Sequence, residues 1–146
     1  MADLIKWLHE SEARLPVIRT HGDFHLGRTA RTDQGWVLSD CAPGGVLDGE
    51  VGPGRRTPLG DVADLLWSLH SASVVAAAER DPAGRLGLDV LGQAWEQRNR
   101  RAFVTGYLAT PGILGLVGHD RDLVARLVSF LELVRSVRPD GAEVTR

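Results

Sequence analysis

A mainly helical fold with one small β-hairpin is the class this sequence predicts, on three observations. Stretches of its second half repeat apolar residues at helical spacing between turn signals, two short apolar runs flank a tight-turn sequence, and 146 residues make one modest domain. The formal net charge is −2, with acids and bases interspersed, which argues against a surface built to grip nucleic acid or an anionic membrane. A lone Cys41 cannot form an internal disulfide, and no basic-plus-apolar leader stands at the start, so a reducing cytoplasm is expected. No apolar run approaches the roughly 18 residues of a membrane span.

The elements follow in order. Residues 3–15 place Leu4, Ile5, Leu8 and Leu15 at helical spacing beside Trp7, predicting a leading amphipathic helix that stops before Pro16. The runs Leu26–Arg31 and Trp36–Leu38 flank Thr32-Asp33-Gln34-Gly35, whose residues suit a tight turn, so a hairpin is predicted with Asp40 at its exit. Residues 42–56 hold five glycines and two prolines and read as a loop.

Thr57-Pro58 then reads as an N-cap followed by proline in the first turn. The helix it opens carries Val62, Leu65, Leu66, Leu69 and Ser73 on one face and closes at Asp81-Pro82-Ala83-Gly84. A second helix, from about Asp89 to Ala109, turns Leu91, Trp95, Ala102, Phe103 and Tyr107 toward a core and stops at Thr110-Pro111-Gly112. A third, from about Asp120 to Val137, does the same with Leu123, Val124, Leu127, Phe130, Leu131 and Val134, and Pro139 ends it. The predicted organisation is one unit over 1–138: leading helix 1–15, loop and hairpin 16–41, glycine-rich loop 42–57, helical subdomain 58–138. Residues 139–146 form a tail.

The chemistry-bearing stretch is His21-Gly22-Asp23-Phe24-His25-Leu26-Gly27-Arg28. Its spacing nearly reproduces the pattern H-R-D-x-x-x-x-N, in which the Asp receives a substrate hydroxyl's proton and the residue five positions on ligates Mg²⁺. Asp23 fills the first role, but the later position is Arg28, and a guanidinium has no lone pair to offer a cation. Phosphoryl transfer needs a proton acceptor, a divalent ion on the phosphates and positive groups to spread charge. Asp23 and Asp40, 17 positions apart and joined by the predicted hairpin, are placed to face one cleft.

Val17 to Ala63 resembles the aminoglycoside phosphotransferase-like kinases, and most closely the bacterial maltokinases. The matching segments are His21-Gly22-Asp23-x-His25-Leu26-Gly27, Trp36-Val37-Leu38-x-Asp40 and Pro58-Leu59-Gly60-Asp61-Val62-Ala63, with Trp95 to Phe103 and Gly106-Tyr107 similar to a late helix of that family. The resemblance implies the C-terminal lobe of a protein-kinase-like fold and transfer of phosphate from ATP, with Mg²⁺, to a sugar or aminoglycoside-like hydroxyl. It implies Asp23 as catalytic base, Asp40 as metal ligand, His25 and Arg28 as candidates for cofactor contact, and His21 and Asp61 as structural support. Asp61 would tie its helix to the catalytic loop from behind; a carboxylate favourably placed in a first turn is the equally weighted alternative.

The departures point the other way. Arg28 replaces a Gln or Asn, and Cys41 and Ala42 follow Asp40 where Phe and often Glu are usual. Lys6, the only lysine, lies in the leading helix and not on a strand of a nucleotide-holding lobe. That lobe has no candidate residues before Asp23, so a partner supplying it is expected for an active version. A degenerate, pseudokinase-like binding module without catalysis is the alternative. His21, Asp23 and His25 also spell H-x-D-x-H, a pattern suited to zinc or iron on a strand; Gly22 and Gly27 indicate a loop, and structural hydrogen bonding is expected of both histidines. Arg55-Arg56 and Arg98, Arg100 and Arg101 read as solvated loop and helix surface, with contact to phosphate or an acidic partner as the alternative.

Overall fold

A computed structural model describes residues 16–39, 55–84 and 86–137. The leading helix, Asp40, Cys41, the glycine-rich loop up to Gly54 and the tail from Arg138 lie outside the described residues.

The chain order is β1 (Ile18–Arg19), a 3₁₀ turn (Leu26–Arg28), β2 (Thr29–Thr32), β3 (Gly35–Leu38), β4 (Arg55–Arg56), α1 (Leu59–Arg80), α2 (Leu88–Ala109), α3 (Ile113–Val117) and α4 (Arg121–Ser136). The described part is thus mainly helical with two small antiparallel pairs. β2 and β3 form the hairpin in the register Thr29↔Leu38 to Thr32↔Gly35. Asp33 and Gln34 make its turn, and Thr32 Oγ1 accepts from Gln34 N at 3.2 Å, the local hydroxyl bond that favours such residues in turns. One correction concerns Leu26–Arg28, expected as strand: the His25 side chain accepts from Gly27 N and winds these residues into a 3₁₀ turn. A second pair, β1 with β4, joins Ile18 to Arg56 and Arg19 to Arg55. Two-residue strands leave no periodicity to read.

α1 is the central element, packed against both α2 and α4. Thr57 Oγ1 accepts from Leu59 N at 3.4 Å and Pro58 already has helical angles, so the Thr-Pro start operates as expected. Leu59, Val62, Leu66 and Leu69 are buried and form one cluster with Ile113 and Val117 of α3 and Val124, Leu127 and Val128 of α4. The short α3 has no signal of its own beyond the glycines that bound it, yet it supplies two core residues. Asp120 caps α4, its carboxylate accepting from Asp122 N and Leu123 N at 3.0 Å.

α2 departs most from its predicted face. Leu91 is 64% and Trp95 44% exposed, and Ala102 is exposed, whereas Phe103, Val104, Tyr107 and Leu108 pack against the core margin. Polar residues hold its middle instead. Arg100 forms a bidentate pair with Glu132 of α4 (2.6 and 2.8 Å) and donates to Leu66 O of α1 at 3.4 Å. Glu96 accepts at 3.0 Å from His70 of α1. Arg100 is therefore an interhelix clamp, not the solvated side chain its basic neighbours suggest. None of the described helices is long and apolar enough to cross a membrane.

Full burial of an aliphatic side chain is worth about 1.5–3 kcal/mol, and truncating one leaves a cavity as well. Leu66→Ala, at a residue 1% exposed, should lower unfolding stability by about 3 kcal/mol in urea titration. Val75→Ala on the same helix, 53% exposed, should stay within about 0.5 kcal/mol.

Candidate active site

The loop between β1 and the 3₁₀ turn is held from one side by α1. Asp61 Oδ2 accepts from His21 N at 2.7 Å and Oδ1 from Gly22 N at 3.0 Å, so one carboxylate takes two successive loop amides. Two turns along α1, Ser68 Oγ accepts from Leu26 N at 3.1 Å and donates to Leu65 O. Gly22 stands at φ 85°, where a side chain would strain the backbone, so the reversal that presents Asp23 requires glycine.

His21 is buried and spans the loop. Its Nε2 lies 2.9 Å from Ser39 O, and because a carbonyl only accepts, Nε2 carries the proton; Nδ1 is then the acceptor for Asp23 N at 3.4 Å. His21 thus links the loop to the residue just before Asp40. His25 accepts from Gly27 N through Nδ1 (3.1 Å), and its Nε2 stands 3.5 Å from Asp23 Oδ2. Phe24 packs between the His21 ring (centroids 5.5 Å) and Phe103 of α2 (6.5 Å).

Asp23 therefore projects from a loop whose backbone is bonded on both sides. Its Oδ2 receives Arg28 Nη2 at 3.0 Å and Arg28 Nε at 3.4 Å, while no described residue donates to Oδ1. The side chains are 31% (Arg28) and 36% (Asp23) exposed, so solvent screens the pair and it contributes at most about 1 kcal/mol. The described residues do not fit a divalent ion here. A guanidinium already lies on the carboxylate oxygen that would ligate it, and no three His, Cys, Asp or Glu side chains gather among the described residues.

No known family pattern matches the chain. Among the solved structures that match its fold are two of glucosamine kinase. One, in complex with glucosamine, ADP and inorganic phosphate, is 26% identical with a TM-score of 0.66, over 92% of this chain and 32% of that one. The other, in crystal form B, is 28% identical with a TM-score of 0.67, over 94% of this chain and 31% of that one. The chain spans about a third of the length of these structures. Its structural neighbours are therefore kinase-like sugar phosphotransferases, and its helical unit with the small hairpin corresponds to part of such a fold.

Seen beside glucosamine kinase, the described site collects His21, Asp23, His25, Arg28 and Asp61 around one loop; Asp40 lies outside the described residues. One further residue holds the loop directly, Arg56, whose side chain is 12% exposed and not the solvated loop surface expected of it. Arg56 on β4 donates through Nη1 to Gly22 O at 3.2 Å and to Asp64 Oδ2 at 3.4 Å, and Arg135 of α4 approaches Asp64 Oδ1 at 3.7 Å. Gly60 makes the room, since a Cβ there would lie 3.1 Å from Arg56 Nη2. The signal available was the spacing of Asp61, Asp64 and Ser68 at i, i+3 and i+7, a polar stripe beside the apolar one.

Burial drives the Asp64 carboxyl above its ordinary value; Arg56 and Arg135 oppose the shift, and the nearby Asp61 adds to it. Burial also raises the Tyr107 phenol, with the Asp61 charge adding to the effect. A groove of about 580 Å³ near the loop is lined by Ile18, Phe24, Phe103, Tyr107, Ile113 and Leu116 among others, but not by Asp23. It lies on the apolar side of the loop.

Asp61→Ala should leave the His21 and Gly22 amides without their acceptor, costing about 2–3 kcal/mol and accelerating hydrogen exchange at those two amides above all others. Asp61→Asn, with one acceptor oxygen in place of two, should fall between. For Asp64, a folded-state value above the unfolded 3.8 means the protonated form is the better folded one. Its stabilisation is present below the unfolded value and is lost as pH rises through the raised one. Urea midpoints from pH 4 to 7 should therefore fall with pH more steeply in wild type than in Asp64→Asn. Parallel profiles would show that the two arginines cancel the effect of burial.

Proposed function

We propose that this chain is the C-terminal lobe of an ATP-dependent sugar phosphotransferase, aminoglycoside phosphotransferase-like in fold and maltokinase-like in motif, acting on a hydroxyl of a sugar such as glucosamine or maltose. The observation that carries the reading is the Asp23 carboxylate, held on a loop fixed by Asp61 with no described residue donating to Oδ1, in a fold similar to glucosamine kinase. In this reading Oδ1 accepts the proton of the sugar hydroxyl as its oxygen attacks the terminal phosphorus of ATP and ADP departs. Arg28 and His25, on Oδ2, fix the carboxylate's rotation and spread developing negative charge.

ATP and Mg²⁺ are the cofactors the resemblance implies, with Asp40 as the candidate metal ligand on sequence grounds. The nucleotide-holding lobe is supplied from outside the described residues, by a companion chain if need be. His21 and Asp61 are support residues, since both act on the loop backbone and neither bonds the Asp23 carboxylate.

The Arg28–Asp23 pair favours a second reading, a pseudokinase-like module that binds without catalysis. The two readings separate on one assay. Incubated with Mg-ATP and glucosamine or maltose, with and without the product of a neighbouring reading frame, the chain should yield phosphosugar detectable by ³¹P NMR, and Asp23→Asn should cut the rate at least 100-fold. Sugar or nucleotide binding without any turnover supports the second reading, and absence of both binding and turnover removes the first.

A further inference from the structure

At the position where the kinase pattern carries an amide that ligates a cation, this chain carries a cation. The placement is built, because the His25 cap winds residues 26–28 into a 3₁₀ turn, and the turn brings the Arg28 guanidinium back over the loop to Asp23 Oδ2. A guanidinium there cannot ligate metal, and its charge repels a dication approaching the same carboxylate. Its fork of N–H donors matches phosphate oxygens, and the Arg28 side chain is 31% exposed beside Asp23, so an incoming anion can reach it.

We propose that Arg28 replaces one divalent cation of a phosphoryl-transfer site, screening Asp23 in the resting chain and binding a phosphate group, free or at the end of a nucleotide, without metal. The catalytic use of that site rests on the phosphotransferase reading; the anion site itself does not. It adds to that reading a binding site of stated chemistry whose cation belongs to the chain.

Two titrations test it on the full chain. With EDTA present, inorganic phosphate should perturb the Arg28 Nε–H resonance saturably, and Arg28→Gln should weaken phosphate affinity at least tenfold while circular dichroism confirms an unchanged fold. In Mn²⁺ titrations followed by loss of the free-ion electron paramagnetic resonance signal, Arg28→Gln should bind at least tenfold more tightly than wild type. Asp23→Asn in that background should remove the gain. Arg28→Lys, which keeps the charge without the fork, should still exclude Mn²⁺ yet bind phosphate more weakly. ADP and ATP in parallel distinguish the source of the phosphate group: both tighter than inorganic phosphate assigns a nucleotide, and neither tighter assigns free phosphate. Phosphate binding that needs Mg²⁺ or ignores Arg28→Gln, or equal Mn²⁺ affinity in wild type and Arg28→Gln, overturns the proposal. Failure of sugar phosphorylation with this phosphate site intact would instead count against the phosphotransferase reading alone.

Discussion

Two hydrogen bonds from loop amides to the Asp61 carboxylate are the constraint on which the site depends. They convert the first turns of a buried helix into a platform, since α1 is anchored in the core by Leu59, Val62 and Leu66 and cannot shift without opening it. Ser68 repeats the grip two turns on, and His21 carries it across to the end of β3. The carboxylate of Asp23 is thereby positioned by backbone bonds, with Arg28 and His25 on its Oδ2.

Charge inside the protein is managed almost wholly by arginine. Arg56 and Arg135 flank the buried Asp64, and Arg100 joins three helices through Glu132 and the Leu66 carbonyl. Arg56 and Arg100 each reach more than one acceptor with a planar fork, which a lysine's point charge does less well. Burial raises the Asp64 carboxyl against both arginines, and the same Arg56 holds the loop through the Gly22 carbonyl. Arg28 belongs to the same habit at a part-exposed position beside Asp23.

Much of this was legible in the residues themselves. The hairpin followed from its turn chemistry, and α1 and α4 followed from periodicity and caps, because an amphipathic helix in contact with a core must repeat at its own pitch. The H-G-D loop and Asp61 were visible as a pattern of residues. What was not legible shares one cause. The β1–β4 pair, the core role of α3, the outward turn of Leu91 and Trp95, and the Arg56–Asp64–Arg135 network are contacts between segments far apart in the chain, and local spacing carries no information about them.

Arg28 marks the division most sharply. Sequence alone determined that a guanidinium stands where a cation ligand is expected, and so that this position cannot coordinate metal, because side-chain chemistry travels with the residue. Only the tertiary structure decided where that charge goes: the 3₁₀ turn capped by His25 aims it at Asp23, and the helix beneath holds Asp23 in place to receive it. Residue type is written in the chain, whereas distance is a product of packing.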